Sequence, residues 1–526
     1  MRGGLSSTER YSWLSDNAIP IYQVTHCKVL VGVDRYILYT VILVESSSVP
    51  VYSIIMNGYQ STALDNIILL CDSYKVSHYA QYPPGTETIY SYFESRGGKF
   101  PSAVFFGLQY IIKRNLVGQV VTHEKIDEAK SIFLEHFGRD IFNEEGWRYI
   151  ADHHKGHLPV IIKAVPEGTV VPTKNVLMTV ENTDPKCYWL TNYLETILVQ
   201  VWYPIAVATN SRTMKRIIAK YLQETADDLS TEYKLHDFGF RGVSSIESAA
   251  IGGIAHLVNF RGTDSLAALH LGRHYYNCPT AGLSIPATEH SAMTVWGEEN
   301  ETNAYSNLFH LYPSGTFACV SDSYDIWNAC SKIWGEALRD KVMNRNGTVI
   351  IRPDSGDPRE VISKVLNILG KQFGYTINSK GYKVLPSCIR VIQGDGVSLE
   401  SLDPILNEVK TSGWSTENVS FGSGGALLQR LNRDTQKCAF KCSFAVVNGH
   451  EIQVSKHPIT DPQKNSKKGR LTLEQCPKTG MLITVEEGCG SESKDILIPV
   501  FKNGVLLKDY TLDEIRARID SYPLDI

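Results

Sequence analysis

Three clusters in the second half of the chain combine residue types that could bind a sugar phosphate. They are Arg352-Pro353-Asp354-Ser355-Gly356, Gly394-Asp395-Gly396 and Gly422-Ser423-Gly424-Gly425. An arginine fork fits two phosphate oxygens, and an aspartate can bond ribose hydroxyls or order a magnesium-bound water. Backbone amides of glycines that precede a helix suit phosphate. Each cluster alone also fits a structural role, as an arginine–carboxylate brace or a closed turn.

A histidine beside a carboxylate, in Glu289-His290-Ser291, adds a candidate acid, base or nucleophile. Neighbouring residues on a helix or strand do not face each other, so the pair alone does not establish a site. A structural histidine is the alternative, and composition gives no reason to prefer His290 among the 15 histidines of the chain.

The clusters follow short apolar runs that repeat along the chain from about Thr231. Each run leads into a polar cluster and then a helix-like stretch, which predicts parallel strands with helical crossovers. The number of units favours an α/β barrel, with an open sheet as the alternative. The loops after the strands of a barrel share one mouth, so we expect the clusters to meet there. The predicted strands are residues 233–236, 256–260, 317–320, 349–351, 389–392 and 419–421.

The 526-residue chain has ordinary globular composition, with 43% hydrophobic and 21% charged residues. Its formal charge is −4, from 52 basic and 56 acidic residues, so no strong overall field favours nucleic acid or an anionic membrane. The 11 cysteines include no CxxC pair, and no histidine cluster beside Cys438 and Cys442 completes a zinc pattern. We therefore expect buried, reduced thiols in a cytoplasmic enzyme.

The amino-acid pattern of the first 65 residues differs from that of the rest of the chain. Their apolar stretch 36–44 (YILYTVILV) is much shorter than the ~20 residues that a membrane-spanning helix requires. The stretch also lacks the basic start and the small-residue cleavage site of a signal peptide. We expect residues 1–65 to form a poorly ordered extension, with an unrecognised targeting segment as the alternative. The basic stretch 456–470 predicts a solvated loop, with help in phosphate binding as the alternative.

Several longer segments resemble nicotinamide phosphoribosyltransferases, which are type II phosphoribosyltransferases. The resemblance runs from about residue 66 to residue 471 and more weakly to the C-terminus. It is most specific in KLHDFGFRGVSS (234–245), VSDSYDI (320–326), 350–356 and 391–396, and it includes CDSYKVSHY (71–79). It implies an irregular α/β barrel over residues 226–433, beside a mixed α+β domain built from both chain ends, 66–225 and 434–526.

The resemblance also implies a role for each matching residue. Phe238 would stack on one face of nicotinamide, Tyr74 of the partner subunit would cover the other face, and Asp264 would bond the carboxamide. His290 matches the histidine that ATP phosphorylates, and it would carry catalysis together with Arg352 and Asp354. The remaining matches are Arg241 with Arg352 for pyrophosphate or phosphate, Pro353, Asp354, Gly394 and Asp395 around the ribose, Gly425 for the 5′-phosphate, and Arg433, Lys441, Lys456 and Lys464 for further phosphate contacts, some of them from the other subunit.

The implied enzyme is a homodimer that joins nicotinamide to phosphoribosyl pyrophosphate with magnesium, which no side chain binds directly, and that ATP stimulates. Asp264 would accept hydrogen bonds from a carboxamide and repel a carboxylate, which favours nicotinamide over nicotinate. The alternatives are a nicotinate phosphoribosyltransferase, a secreted signalling protein and an unrelated barrel enzyme for a sugar phosphate. Phe240 and Ala439 depart from the family, because hydroxyl-bearing residues are more usual there.

Overall fold

The structure is a computed structural model that describes residues 27–34, 37–44, 54–55, 65–461 and 464–524. The chain divides into two compact units, Met1–Asp65 and Asn66–Ile526. In the first unit the strand Ile37–Val44 pairs antiparallel with Cys27–Asp34 and with Ile54–Ile55. The predicted poorly ordered extension otherwise lies outside the described residues. No helix among the described residues is long and apolar enough to cross a membrane.

An antiparallel sheet of seven strands draws on both ends of the second unit. Its strand Thr86–Ser95 is almost entirely buried and pairs antiparallel with Cys438–Val447 on one side and Val176–Asn182 on the other. The order across the sheet is His450–Gln453, Cys438–Val447, Thr86–Ser95, Val176–Asn182, Val160–Ala164, Ile498–Lys502 and Val505–Leu506. The second unit also contains three two-stranded antiparallel sheets: Ser102–Val104 with Val170–Pro172, Thr376–Ile377 with Lys383–Val384, and Thr472–Gln475 with Leu482–Val485.

A second sheet consists of six parallel strands from the middle of the chain. Their order is Gly262–Thr263, Leu235–Asp237, Val419–Ser423, Ile389–Gln393, Val349–Arg352 and Phe317–Val320. Residues 283–287 connect the two edge strands, because Gly262 bridges Leu283 and Ala287 bridges Ala318, both in parallel. The sheet therefore curls into a ring of seven chain segments that follow one another in sequence order.

Helices link successive segments of the ring and pack against one another, for example Ile246–His256 against Leu266–Tyr275. The helix Pro358–Phe373 shows why they form, since Asp357 caps its first turn, proline occupies that turn, and one face buries Val361, Leu366 and Leu369. The α-helices are Leu108–Asn115, His123–Phe137, Glu144–His153, Leu190–Tyr193, Glu195–Val199, Trp202–Thr225, Ile246–His256, Leu266–Tyr275, His290–Thr294, Glu301–Leu311, Ile326–Asn328, Arg339–Met343, Pro358–Phe373, Leu399–Thr411, Gly425–Leu428 and Leu512–Asp520. Ala329–Ala337 is a π-helix, and short 3₁₀ turns include Ser73–Ala80, Pro185–Cys187, Phe240–Gly242 and Arg433–Thr435.

One predicted strand is wrong. Residues 256–260 are the end of the helix Ile246–His256 and the turn after it, and the barrel strand at this place is Gly262–Thr263. His256 and Phe260 are both buried and their rings stack with centroids 5.0 Å apart, which is the i, i+4 contact of a helical turn. A short apolar run does not distinguish a buried strand from the end of a buried helix.

The predicted fold class is confirmed: an irregular α/β barrel lies beside an α+β portion whose antiparallel sheet is built from both chain ends. All described residues after Asp65 belong to one compact unit, so the domain limits at 226 and 433 stay a prediction.

Candidate active site

A cavity of about 1240 Å³ opens where the barrel strands end. It continues toward the beginnings of the strands, where Thr316, Ile350 and Ser420 line it. Residues that directly follow different strands therefore share one space, as the barrel topology predicts. The predicted site residues that line it are Phe238, Arg241, Asp264, His290, Arg352, Asp354, Gly394, Asp395 and Gly425.

Phe238 follows the strand Leu235–Asp237, and its ring lies against the bare backbone of Gly422 on the neighbouring strand. A Cβ atom added at Gly422 would come within 1.9 Å of the Phe238 Cε2 atom. The Phe238 amide also donates to the Ser423 carbonyl at 3.0 Å. The ring is thus held in place by a strand that has no side chain at the contact. The sequence connected this glycine-rich loop with phosphate binding, with packing as the alternative, and at Gly422 the structure shows a packing contact.

The carboxylate of Asp264 lies at the mouth of the barrel and is exposed. The Ser284 hydroxyl donates to Asp264 Oδ1 at 2.5 Å, and the Asp264 amide donates to the Asp237 carbonyl at 3.0 Å. His236 lines the same cavity, and burial lowers its pKa although the Asp264 charge acts in the opposite direction. A neutral imidazole and a carboxylate therefore lie close together. Sequence reasoning missed Ser284 and His236, although His236 falls within the KLHDFGF segment.

Arg352 and Asp354 end the strand Val349–Arg352 and do not form a tight brace. The closest approach between Arg352 Nη1 and Asp354 Oδ2 is 3.8 Å, and Arg352 Nη2 donates to the Thr288 carbonyl at 3.1 Å. The buried Nε atom of Arg352 has no hydrogen-bond partner among the described residues. The guanidinium therefore keeps donor capacity for an anion. Pro353 between them is buried and does not line the cavity.

Gly394 and Asp395 bring a second carboxylate to the mouth beside Asp354. A Cβ atom at Gly394 would lie 3.0 Å from Asp354 Oδ1, so the missing side chain leaves room for that carboxylate. Gly425 begins a helix that ends at Leu428, four residues long. Gly424 and Gly425 line the cavity and their amides can bind an anion, but the dipole of such a short helix is small.

His290 begins the helix His290–Thr294 and reaches across to Asp322. His290 Nε2 lies 2.9 Å from Asp322 Oδ1, and the Asp322 side chain is only 4% exposed. The Ser355 hydroxyl and the Asp354 amide donate to the other oxygen, Oδ2, at 2.5 and 2.9 Å. Burial raises the pKa of Asp322. The hydrogen bonds from Ser355, His290 and the Asp354 amide outweigh this effect and hold the pKa below its usual value. Sequence reasoning missed Asp322, which lies in the VSDSYDI segment.

The other predicted residues lie outside this cavity. Burial lowers the pKa of Lys441, Glu195 raises it, and the charges of Arg96, Lys456 and Arg433 lower it, so several cations gather around Lys441. Glu195 also pairs with Lys75 at 2.7 Å, and the neighbouring Tyr74 side chain is 59% exposed. The cations around Lys441 and the Tyr74 ring thus share a neighbourhood around Glu195. Lys464 pairs with Asp461 at 3.1 Å.

Comparison with known proteins finds relatives that match most of the chain. The chain matches the model of the nicotinate phosphoribosyltransferase (NAPRTase) family over residues 233–504 and that of the nicotinamide phosphoribosyltransferase N-terminal domain over residues 66–162. The nicotinamide phosphoribosyltransferase of Xanthomonas campestris is 51% identical over 467 residues, which cover 87% of this chain and 99% of the relative. That of Acinetobacter baylyi is 34% identical, over 85% of this chain and 96% of the relative.

A solved structure shares the fold at low sequence identity. The nicotinate-nucleotide pyrophosphorylase from Pyrococcus furiosus has a TM-score of 0.56 at 16% identity, and the match covers 89% of this chain and 98% of that one. Its likeness shows the barrel and the second domain only. Together with the matches in sequence, it leads to the conclusion that this chain belongs to the nicotinate phosphoribosyltransferase family and carries the N-terminal domain of the nicotinamide phosphoribosyltransferases.

Proposed function

We propose that this protein transfers phosphoribosyl from phosphoribosyl pyrophosphate to nicotinamide, which yields nicotinamide mononucleotide and pyrophosphate in NAD salvage. The observation that carries the proposal is the Asp264 carboxylate, held by Ser284 at the mouth of the cavity that Phe238 and Arg352 also line. Two relatives that match at least 85% of this chain bear the name of this activity.

Asp264 is the residue proposed to select nicotinamide over nicotinate. A carboxylate accepts hydrogen bonds from the amide nitrogen of nicotinamide, and its charge repels the carboxylate of nicotinate. Two unit charges about 4 Å apart repel by roughly 4 kcal/mol at an effective dielectric constant of about 20. That energy corresponds to about a thousandfold preference in kcat/KM.

The residues of the mouth fit the chemistry of the transfer. The ring nitrogen of nicotinamide carries a free lone pair and attacks the anomeric carbon while pyrophosphate leaves, so positioning by Phe238 does much of the work. Negative charge grows on the leaving group, and Arg352 and Arg241, which both line the cavity, would stabilise it. Asp354 and Asp395 are the acceptors proposed for the ribose hydroxyls.

The same carboxylates fit magnesium. Mg²⁺ prefers oxygen donors, keeps several waters and is usually bound through one or two carboxylates together with substrate phosphates. Asp354 and Asp395 line the cavity beside Arg352, so they would hold waters of a Mg²⁺ ion that pyrophosphate ligates. Bound there, the ion would neutralise charge on the leaving group.

ATP stimulation is proposed to act through His290. Asp322 holds Nε2, which leaves Nδ1 as the nitrogen that accepts the γ-phosphoryl group of ATP. The phosphorylated ring would place negative charge beside the pyrophosphate site, and a magnesium ion held there through Asp354 and Asp395 would offset this charge. If ATP still raised the turnover of His290→Ala, that result would contradict this part of the proposal.

A homodimer is proposed because one set of candidate residues faces away from the cavity. The exposed Tyr74 ring and the cations around Lys441 lie outside it, and a partner subunit would use them to complete its own site. Mixing inactive Asp354→Ala with inactive Tyr74→Ala then regenerates one intact site per mixed dimer, which restores about a quarter of the wild-type activity at random exchange. No recovery after subunit exchange would contradict shared sites. The ten cysteines of residues 65–461 and 464–524 are free, which accords with the proposed cytoplasmic location.

The experiment that tests the reaction is mononucleotide formation by the purified protein with phosphoribosyl pyrophosphate and magnesium. Nicotinamide and nicotinate are offered in parallel, each with and without ATP. The proposal predicts nicotinamide mononucleotide as the main product and faster turnover with ATP. A preference for nicotinate would overturn the role of Asp264, and no product from either base would overturn the proposed reaction.

A further inference from the structure

Three potential metal ligands meet at the side of the mixed domain, outside the catalytic cavity. His154 follows the helix Glu144–His153, while Asp184 caps and Cys187 ends the 3₁₀ turn Pro185–Cys187. The ligand atoms of the three side chains all lie within 4.8 Å of one another. Asp184 and Cys187 are three residues apart, and this spacing places both on the same side of a 3₁₀ turn.

Hydrogen bonds hold the carboxylate in position. His154 Nε2 lies 2.8 Å from Asp184 Oδ2, and the Tyr149 hydroxyl donates to the same oxygen at 3.0 Å. The Lys186 amide donates to Asp184 Oδ1 at 2.9 Å. These bonds account for the carboxylate as a cap of the turn. The Cys187 thiol packs in the hydrophobic core and takes part in no hydrogen bond among residues 65–461 and 464–524, so its sulfur is available as a ligand.

The three side chains combine one buried ligand with two partly exposed ones. Cys187 is fully buried, whereas the side chains of His154 and Asp184 are 25% and 18% exposed. Burial raises the pKa of the Cys187 thiol to about 12, the Asp184 charge adds to this, and Lys186 opposes it. The thiol is therefore neutral in the metal-free protein. Water and small ions reach the cluster from the side of the imidazole.

We propose that His154, Asp184 and Cys187 bind one zinc ion, with a water molecule as the fourth ligand. Sulfur, imidazole nitrogen and carboxylate oxygen together suit Zn²⁺ and disfavour Mg²⁺, which prefers oxygen alone. Bonds of about 2.0–2.3 Å place tetrahedral donors about 3.3–3.7 Å apart, so small shifts within the observed 4.8 Å suffice.

The charges balance when zinc binds. The thiol releases one proton to solvent, and the neutral imidazole moves its proton from Nε2 to Nδ1 as Nε2 becomes a ligand. The two positive charges of zinc meet one thiolate and one carboxylate, so the site is neutral overall. Tyr149 continues to orient the carboxylate from behind. Zinc thereby joins the end of the helix Glu144–His153 to the turn Pro185–Cys187.

The test uses the full-length protein without a histidine tag, under reducing conditions. Metal analysis and titration calorimetry measure zinc, and cobalt serves as a spectroscopic probe because a thiolate ligand gives a near-ultraviolet charge-transfer band. We expect one zinc ion per chain, a cobalt band, a rise of the melting temperature with zinc, and no binding of Mg²⁺ at this site. Cys187→Ala removes zinc and the band, and Tyr149→Phe weakens zinc binding about 10- to 100-fold.

Two variants separate ligand loss from misfolding and from adventitious binding. His154→Gln changes a partly exposed side chain, so it leaves the fold intact and still abolishes zinc binding. Cys489→Ser removes an exposed thiol elsewhere and leaves zinc binding unchanged. The proposal is overturned if the wild type binds no more zinc than Cys187→Ala. It is also overturned if bound cobalt shows no thiolate band, or if Cys489→Ser removes the metal.

Discussion

Replacing Gly422 with alanine tests whether the ring of Phe238 forms one face of the nicotinamide site. The new Cβ atom would lie 1.9 Å from Phe238 Cε2 and 2.0 Å from Cδ2. Carbon atoms in contact keep about 3.5–4.0 Å, so the ring must move by roughly 1.5–2 Å. A misplacement of about 1 Å can cost about a hundredfold in rate. We therefore expect kcat/KM for nicotinamide to fall at least about a hundredfold, or about 2.7 kcal/mol of transition-state stabilisation.

The assay is steady-state mononucleotide formation at saturating phosphoribosyl pyrophosphate, with thermal unfolding measured on the same samples. Overpacking at Gly422 lowers the free energy of unfolding by about 1–3 kcal/mol, so the variant still folds. The double variant Gly422→Ala with Phe238→Leu is the control. The smaller leucine side chain at position 238 relieves the collision with the new Cβ atom and restores stability, but turnover stays low because the aromatic ring is gone. Wild-type kcat/KM in Gly422→Ala, or recovery of turnover in the double variant, would refute the reasoning.

Two further predictions concern buried carboxylates. Burial raises the pKa of Glu167 to about 7, against hydrogen bonds from the amides of Gln109 and Gly107. The folded protein therefore keeps this proton after the unfolded chain has lost it, and stability falls by about 3 kcal/mol as pH rises from about 4.5 through 7. Unfolding measured across this range should flatten in Glu167→Gln, and an unchanged slope would contradict the assignment. Asp322→Asn should slow phosphorylation of His290 by ATP about 10- to 100-fold, since a hydrogen bond to a charged group contributes about 1.5–3 kcal/mol; equal incorporation of labelled phosphate would contradict this.

Local patterns were enough to predict the strands that are apolar along their whole length. The strand Phe317–Val320, for example, coincides with its prediction. The segment that closes the barrel was not predicted as a strand of the ring, because only two isolated bridges, at Leu283 and Ala287, define it. These two bridges form only because the neighbouring strands lie on either side. The segment therefore needs no alternation of apolar and polar residues that would mark it as a strand in the sequence.

The missed site residues have a common cause. Asp322 and Gly422 act on residues that lie far away along the chain, through a hydrogen bond to His290 and a contact with Phe238. Residue type alone did not show these pairings. The basic stretch 456–470 likewise predicted a solvated loop, yet Lys467 is 14% exposed and pairs with the buried Glu94 at 2.5 Å. Charge along a sequence does not reveal a buried partner that is remote in the chain.

The most direct test of the account compares nicotinamide with nicotinate in the wild type and in Asp264→Asn. Removal of the carboxylate charge removes the repulsion of nicotinate, so we expect the wild-type preference for nicotinamide of about a thousandfold to shrink to about tenfold or less. The ratio of kcat/KM values for the two bases is the quantity to measure, because a general loss of activity leaves it unchanged. A ratio that is equal in wild type and Asp264→Asn would contradict the central claim that this carboxylate selects the substrate.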